Sequence, residues 1–227
     1  MRFLCAVFAL LSLSSAARAD NWSLPPAGYG YAAIARCGNA GAATLKPNEA
    51  RYEICADQMA LFAAAVEKAR LDKRLLIVDF GATWCPWCKS LQAEWRKTKL
   101  LGGADKRLDL GATFDVVEIG ISTLQEGRMT DIPSGHAVLD HVLAATKGTK
   151  LKSIPFLAVL DPGDRAKTVA RSLDDFEQPN SGKHDPSQIR TFLVETHAYM
   201  RSGAAAPSEP GWLRKKIRRA WMRVISD

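Results

Sequence analysis

Long apolar runs and internal repeats are both missing from this sequence of 227 residues. The uncharged run near its start, residues 3–17, is shorter than the roughly 20 apolar residues that a membrane-spanning helix needs. The run follows Arg2 and ends in a small-residue segment, residues 17–19, which is the pattern of a secretory signal peptide. We therefore expect residues 1–19 to be cleaved on export, and an uncleaved N-terminal anchor is the alternative.

A net charge of one sign is also missing from the central part of the chain. The formal net charge is +7, but the basic excess lies in residues 1–19 and 201–227, so residues 20–200 are neutral overall. A nucleic-acid-binding domain usually carries a basic face. The sequence therefore predicts no nucleic-acid partner for the globular part, and it assigns the basic character to a C-terminal tail.

Histidine is scarce, and its positions do not suggest a metal site. A structural zinc site needs four ligands at short, regular spacings, and the histidines show no such spacing with the cysteines. We therefore expect no bound metal and no cofactor. The four histidines are interpreted as surface or packing residues: His136, His141, His184 and His197.

The five cysteines leave an even number after signal cleavage, because Cys5 lies in the signal. An even count in an exported protein indicates disulfide chemistry. Cys37 and Cys55 fall in a segment with little apolar periodicity, where a structural disulfide would contribute about 3 kcal/mol in the chain-entropy model. We expect that disulfide; a second redox pair that passes electrons to Cys85 and Cys88 is the alternative.

Helices and strands alternate along the central part of the chain. Residues 20–56 predict an irregular N-terminal extension, and residues 57–200 predict one domain. Its order of elements favours an α/β fold with a mixed sheet. The predicted elements are a helix over 57–74 capped by Asp57, a strand over 75–80, a helix that contains the second cysteine of the pair in its first turns, a strand over 114–121, a helix over 136–147, a strand over 153–161, its hairpin partner over 167–173, and a helix from the Asp185 cap to Tyr199.

Cys85 and Cys88 stand at the spacing of a redox pair, in the segment CPWC. Disulfide exchange requires a thiolate, which the unpaired N–H groups and the dipole of a helix N-terminus stabilise. Cys85 stands at the start of the predicted helix and would attack, whereas Cys88 lies one turn further in and would resolve the mixed disulfide. A purely structural disulfide is one alternative. A metal site is another, but it needs two further ligands, which Cys37 and Cys55 would have to supply.

Two segments carry a resemblance to the thioredoxin superfamily. IVDFGATWCPWCK, residues 77–89, resembles the strand, turn and active-site helix, and SIPF, residues 153–156, resembles the Ile-Pro segment of that family. The resemblance covers about residues 57–200. It implies a thioredoxin-like three-layer sandwich, in which a mixed β-sheet carries helices on both faces.

The resemblance also implies roles for individual residues. Asp79 matches the family's buried carboxylate, which assists proton transfer at the second cysteine, and Trp84 matches the aromatic residue that shields the site. Pro155 matches a cis-proline that packs against the disulfide, and the backbone of Ile154 would pair with the substrate chain. The residues implied to contact substrate are Trp84, Pro86, Trp87, Ile154 and Pro155.

The sequence departs from the family in three places. The dipeptide between the cysteines is Pro-Trp rather than the Gly-Pro of reducing thioredoxins. The separation from Cys88 to Pro155 exceeds that of a minimal thioredoxin, and we assign the excess to an inserted helix and loops over residues 122–150. Glu118 stands near the position where thioredoxins have a lysine beside the buried carboxylate, so the coupling of Asp79 is expected to differ.

The C-terminal tail, residues 201–227, combines a linker with an amphipathic basic segment. Residues 212–225 place apolar side chains on one helical face and arginines and lysines largely elsewhere, which is typical of an interfacial helix. Contact with anionic lipid or with a membrane redox partner is one interpretation. A helix docked on its own domain, or a solvated end, is the other.

Together these patterns predict an exported, periplasmic thiol:disulfide oxidoreductase that acts on protein thiols and disulfides. A narrower alternative is a dedicated reductase for one cytochrome or metal-centre assembly client, fed by a membrane redox partner. An alternative from another class is a non-catalytic binding module or holdase for extended chains.

Overall fold

The computed structural model describes residues 22, 50–96, 108–146, 148–176 and 184–207 of the chain. Five helices, five strands and one 3-10 turn lie within these ranges. In chain order they are α1 (Gln58–Leu71), β1 (Leu75–Ala82), α2 (Pro86–Arg96), α3 (Leu110–Thr113), β2 (Phe114–Gln125), β3 (Arg128–Asp131), α4 (Pro133–Leu143), β4 (Phe156–Asp161), β5 (Asp164–Ser172), the 3-10 turn Leu173–Phe176, and α5 (Pro186–Ser202).

The strands form one mixed sheet in the order β3-β2-β1-β4-β5. β1 pairs in parallel with β2, whereas β1 with β4, β2 with β3, and β4 with β5 are antiparallel. A parallel pair needs a crossover connection, which α2 begins, and an antiparallel neighbour needs only a tight turn such as the one between β4 and β5. The mixed sheet predicted from the order of elements is therefore confirmed.

β1 lies at the centre of the sheet, and all eight of its residues are buried. Alternate side chains of a strand point to opposite faces. Leu76 and Val78 pack in a cluster with residues of α1 and α4, and Leu75 and Ile77 pack in a second cluster with residues of α2 and α5. The fold is thus the thioredoxin-like three-layer α/β sandwich that the resemblance implies, and Asp79 falls on the α2 face.

The helix ends follow the predicted caps. Asp57 accepts a hydrogen bond from the Met59 N–H at 2.9 Å, and Asp185 accepts one from the Ser187 N–H at 2.9 Å. Pro186 occupies the first helical position of α5, where no N–H is required. The first helix ends at Leu71, three residues before its predicted end.

Residues 122–150 differ from the predicted inserted helix and loops. The helix is present as α4, but β2 continues to Gln125 and β3 returns as its hairpin partner. Glu126 and Gly127 make the turn with φ angles of 49° and 78°, the left-handed conformation that tight hairpin turns require. α4 begins at Pro133, three residues before the predicted start.

The strand predicted over 153–161 starts three residues later than predicted, at Phe156. Residues 153–155 come before the strand, and two of them form the cis Ile154–Pro155 bond. Proline lacks the backbone N–H that a strand residue donates to its neighbouring strand. Within the described parts of the chain, no helix combines the length and the apolarity that crossing a bilayer requires.

The end of the predicted irregular extension, residues 50–55, lies against the sheet near the cysteine pair. Ala50, Tyr52, Ile54 and Cys55 are buried there in a cluster that contains Cys85 and Cys88. The predicted signal peptide, Cys37 and the tail segment 212–225 lie outside the described residues, so the predictions made for them remain predictions.

Candidate active site

The two cysteines of the CPWC segment form a disulfide at the N-terminus of α2. Their Cα atoms are 5.3 Å apart, and the backbone N–H of Cys88 donates a hydrogen bond to Cys85 Sγ at 3.1 Å. A helix N-terminus presents such N–H groups without intrahelical partners and favours negative charge. The geometry therefore stabilises a thiolate on Cys85 when the pair is reduced.

The two sulfur-bearing residues differ in access. Cys88 is completely buried, whereas Cys85 keeps 3 % of its surface exposed. The assignment of Cys85 as the attacking cysteine and Cys88 as the resolving cysteine stays a prediction.

A cis peptide bond between Ile154 and Pro155 lies beside the pair, so the cis-proline implied by the resemblance is confirmed. Cys85 Sγ lies 3.8 Å from the carbonyl oxygen of Ile154. Ser153 holds this loop, because its hydroxyl contacts Ser172 Oγ at 2.5 Å and donates to Asp174 at 2.6 Å. The half-buried Ile154 is thus held next to the sulfur, and its pairing with a client chain stays a prediction.

Asp79 is a fully buried carboxyl group on the α2 face of β1. Its Oδ2 accepts a hydrogen bond from Trp95 Nε1 at 3.1 Å, and its Oδ1 accepts one from the Tyr52 hydroxyl at 3.5 Å. Burial, reinforced by the charge of Glu118, raises the pKa of Asp79 to about 8. A carboxyl group with this pKa can exchange a proton at neutral pH, which its predicted role requires.

Glu118 is the cross-strand neighbour of Asp79 in the parallel pair of β1 and β2. Its negative charge disfavours ionisation of Asp79 and so contributes to the raised pKa of that carboxyl group. A lysine at this position would act in the opposite direction. Glu118 therefore raises the pKa of Asp79, where a lysine would lower it.

Aromatic side chains surround the cysteine pair. Trp84 is half-buried, and its Nε1 donates to Ser122 Oγ at 3.2 Å. Trp87 is 36 % exposed and lies against the His184 ring, with 5.1 Å between ring centroids. Pro86 is exposed beside it. These residues form an apolar rim, and their contact with substrate stays a prediction.

Two partners of Asp79, Trp95 and Tyr52, are not predicted by the sequence pattern. Trp95 is a buried core residue of α2, and its indole N–H also holds the carboxyl group. Tyr52 belongs to a segment without periodicity, so nothing in the sequence pattern indicated its contact. A signal for Trp95 did exist, because a tryptophan that faces the core needs a partner for its N–H.

Cys55 is also part of this buried cluster and is disulfide-bonded. Its predicted partner, Cys37, lies outside the described residues. Among the described residues, no group of three or more histidine, cysteine, aspartate or glutamate side chains is placed to hold a metal ion.

Residues 53–108 match the thioredoxin family, over a stretch that contains β1, the cysteine pair and Trp95. No curated protein matches the chain. A thioredoxin domain that carries two cysteines in disulfide contact supports an oxidoreductase in the general sense.

Proposed function

This chain belongs to the thioredoxin superfamily, and from that premise we propose that it is a thiol:disulfide oxidoreductase acting on protein cysteines through Cys85 and Cys88. The observation that carries the proposal is the cysteine pair at the N-terminus of α2, with the Cys88 N–H directed at Cys85 Sγ at 3.1 Å. A structural disulfide has no need of a thiolate-stabilising donor at one of its sulfurs.

The reaction proceeds in two exchanges. In the reducing direction, the Cys85 thiolate attacks one sulfur of a client disulfide, and the other client sulfur leaves as a thiolate and takes a proton from solvent. Cys88 then loses its proton and attacks Cys85 Sγ, and the second client sulfur leaves. The client gains two electrons and becomes a dithiol, while Cys85 and Cys88 become a disulfide. The oxidising direction is the reverse.

Asp79 accepts the proton of Cys88 in the second exchange. Cys88 is completely buried, so its thiol needs an internal base before it can attack. The raised pKa of Asp79, about 8, is close to that of an ordinary thiol, so proton transfer between the two groups is nearly balanced.

The Pro-Trp dipeptide supports a reduction potential between those of the most oxidising and the most reducing proteins of this fold. Trp87 adds no positive charge near Cys85, so the thiolate gains less stabilisation than in strongly oxidising members. Members of this fold range from roughly −120 to −270 mV. We propose an intermediate potential; a value near the oxidising limit would favour disulfide donation or reshuffling, and a value near that of thioredoxin would favour reduction of clients.

The setting of this activity is part of the proposal. The signal-peptide pattern of residues 1–19 supports export to the periplasm, an oxidising compartment where disulfide chemistry is used. The basic amphipathic pattern of residues 212–225 supports contact with an anionic membrane surface or a membrane redox partner. Removing residues 208–227 tests the second point, since an unchanged partition between soluble and membrane fractions would contradict it.

Trapping of the mixed disulfide tests the function. In Cys88→Ala the first exchange proceeds and the second does not, so a disulfide-bonded client protein accumulates on Cys85. In Cys85→Ala no adduct forms, and the turnover rate falls by more than about a thousandfold. Non-reducing electrophoresis with mass spectrometry identifies the adduct. No adduct with Cys88→Ala, together with client binding that survives in Cys85→Ala, would instead support a non-catalytic binding module.

A further inference from the structure

The site contains a slot in its backbone that a distant tyrosine fills. A Cβ atom added to Gly81 would meet the Tyr52 hydroxyl and Cys88 Sγ, each within 3.0 Å. The glycine therefore leaves room for the tyrosine ring, and it brings the hydroxyl and the buried sulfur to the same point beside β1. A side chain at position 81 would exclude this arrangement.

Two anchors fix Tyr52 in the slot. The Ala50 N–H donates to the Thr83 carbonyl at 2.8 Å, which ties the segment to the turn after β1. The Arg51 N–H donates to Gln92 Oε1 at 2.7 Å, which ties it to α2. Ala50 and Thr83 are both buried, so the first bond is shielded from water, whereas the second is partly buried because Arg51 is exposed.

The hydroxyl of Tyr52 is directed at Asp79. It lies 3.5 Å from Oδ1, while Trp95 holds Oδ2. Glu118 from β2 and the apolar Leu157 from β4 are the cross-strand neighbours of Asp79, and Cys88 Sγ lies beside Gly81, two residues further along the same face of β1. A bond from a hydroxyl to a carboxylate is shorter and stronger than one to a neutral carboxyl, so ionisation of Asp79 draws the hydroxyl closer.

We propose that Tyr52 is a positioning residue of disulfide exchange, whose hydroxyl, held over Gly81, stabilises ionised Asp79 and so sets when Asp79 takes the proton of Cys88. The inference rests on the proposed function. In the step concerned, the Cys88 S–H bond breaks and the proton moves to Asp79. The sulfur electron pair forms the bond to Cys85 Sγ, and the bond from Cys85 to the client sulfur breaks as the client thiolate leaves.

Tyr52→Phe tests this role, because phenylalanine fills the slot and removes only the hydroxyl. Losing a donor to the charged form raises the pKa of Asp79 further, so its ionisation moves to higher pH. We expect the rate of mixed-disulfide resolution at pH 7 to fall about threefold to tenfold, and its pH profile to shift to higher pH. The ionisation itself is followed by carbon NMR of the Asp79 carboxyl group in the full chain.

Matched variants separate this role from a structural one. Tyr199→Phe removes a hydroxyl from α5 and should leave the Asp79 titration unchanged. In the Asp79→Asn background, Tyr52→Phe should no longer alter the pH profile of resolution. Gln92→Ala loosens the anchor at Arg51 and should shift the titration in the same direction as Tyr52→Phe, by less.

An unchanged Asp79 titration in Tyr52→Phe, with the fold intact by circular dichroism, would overturn the inference. So would an effect of Tyr52→Phe that persists in the Asp79→Asn background. The carboxyl titration does not depend on turnover. Absence of Cys85-dependent exchange in the unsubstituted protein would therefore refute the proposed function. The NMR titration would still test whether the Tyr52 hydroxyl stabilises ionised Asp79.

Discussion

The two sides of the cysteine pair are built in different ways. On the inner side, Asp79, Cys85 and Cys88 come from β1 and the start of α2, which are consecutive in the chain. On the outer side, residues 50–55 approach from before α1 and contribute Tyr52 to the same buried cluster. The consecutive elements place the reacting sulfurs, and the distant segment adjusts the acid that serves them. Chemistry that is encoded locally can thus be tuned by residues far away in sequence.

The largest expected effect comes from the inner side, at Asp79. The folded protein keeps this carboxyl protonated up to a pKa of about 8, whereas in the unfolded chain it ionises near its ordinary value of 3.8. Between about pH 4 and pH 8 the folded state therefore binds the extra proton, and stability falls as pH rises. Asp79→Asn removes this dependence and keeps groups that can bond to Trp95 and Tyr52.

Chemical denaturation across pH measures the Asp79 effect. We expect Asp79→Asn to be more stable than the unsubstituted protein at pH 8, by roughly 2–5 kcal/mol. The difference should vanish near pH 4, where the carboxyl is protonated in both states. A difference that is constant from pH 4 to pH 8 would contradict the raised pKa of Asp79.

A smaller effect should follow when the two sides are forced apart at Gly81. Gly81→Ala places a methyl group within 3.0 Å of the Tyr52 ring and Cys88 Sγ, so the tyrosine must shift. We expect a loss of about 1–3 kcal/mol in stability, as for overpacking of a tight core. Gly163→Ala is the matched control, since its added Cβ atom would meet only Asp161 Oδ1, at the ordinary contact distance of 3.5 Å.

Making Gly81→Ala in a Tyr52→Ala background shows whether the contact with the tyrosine causes this loss of stability. If the clash with the tyrosine causes the loss, Gly81→Ala should cost less when the ring is already absent. Equal costs in both backgrounds, measured by thermal or denaturant unfolding, would mean that the contact with Cys88 dominates and that Tyr52 does not depend on the slot.

The smallest expected effect is at Glu118, on the neighbouring strand. Glu118→Gln removes a like charge from the surroundings of Asp79, so the pKa of Asp79 falls toward its ordinary value. Glu118 is half-exposed, and solvent screens its charge, so stability at pH 8 should rise by only about 0.5 kcal/mol. Glu118→Asp keeps the charge and is the control; a rise of the Asp79 pKa in Glu118→Gln would contradict the assigned sign.

The inner side could be predicted from sequence because its signals are local. A buried apolar run ending at Asp79, the spacing of Cys85 and Cys88, and the caps at Asp57 and Asp185 each depend on neighbours within a few residues. Such short-range rules gave the central strand, the active-site helix and the layers of the sandwich.

The rest depends on contacts that no short-range rule reports. β3 has the sequence RMTD, is mostly exposed and lacks apolar alternation, so its pairing with β2 left no periodic signal. Tyr52 contacts a residue 27 positions later, through space that exists only because position 81 is glycine. An isolated glycine in a strand does indicate close approach, but it does not identify the neighbour.

A redox titration of Cys85 and Cys88 in the full chain, against a series of glutathione or dithiothreitol ratios, would show whether this pair is redox-active. Mass spectrometry follows Cys37 and Cys55 in the same samples. We expect reversible two-electron reduction of the Cys85–Cys88 pair at a potential between roughly −120 and −270 mV. A reduction potential below about −300 mV, as structural disulfides have, would contradict the proposed exchange activity.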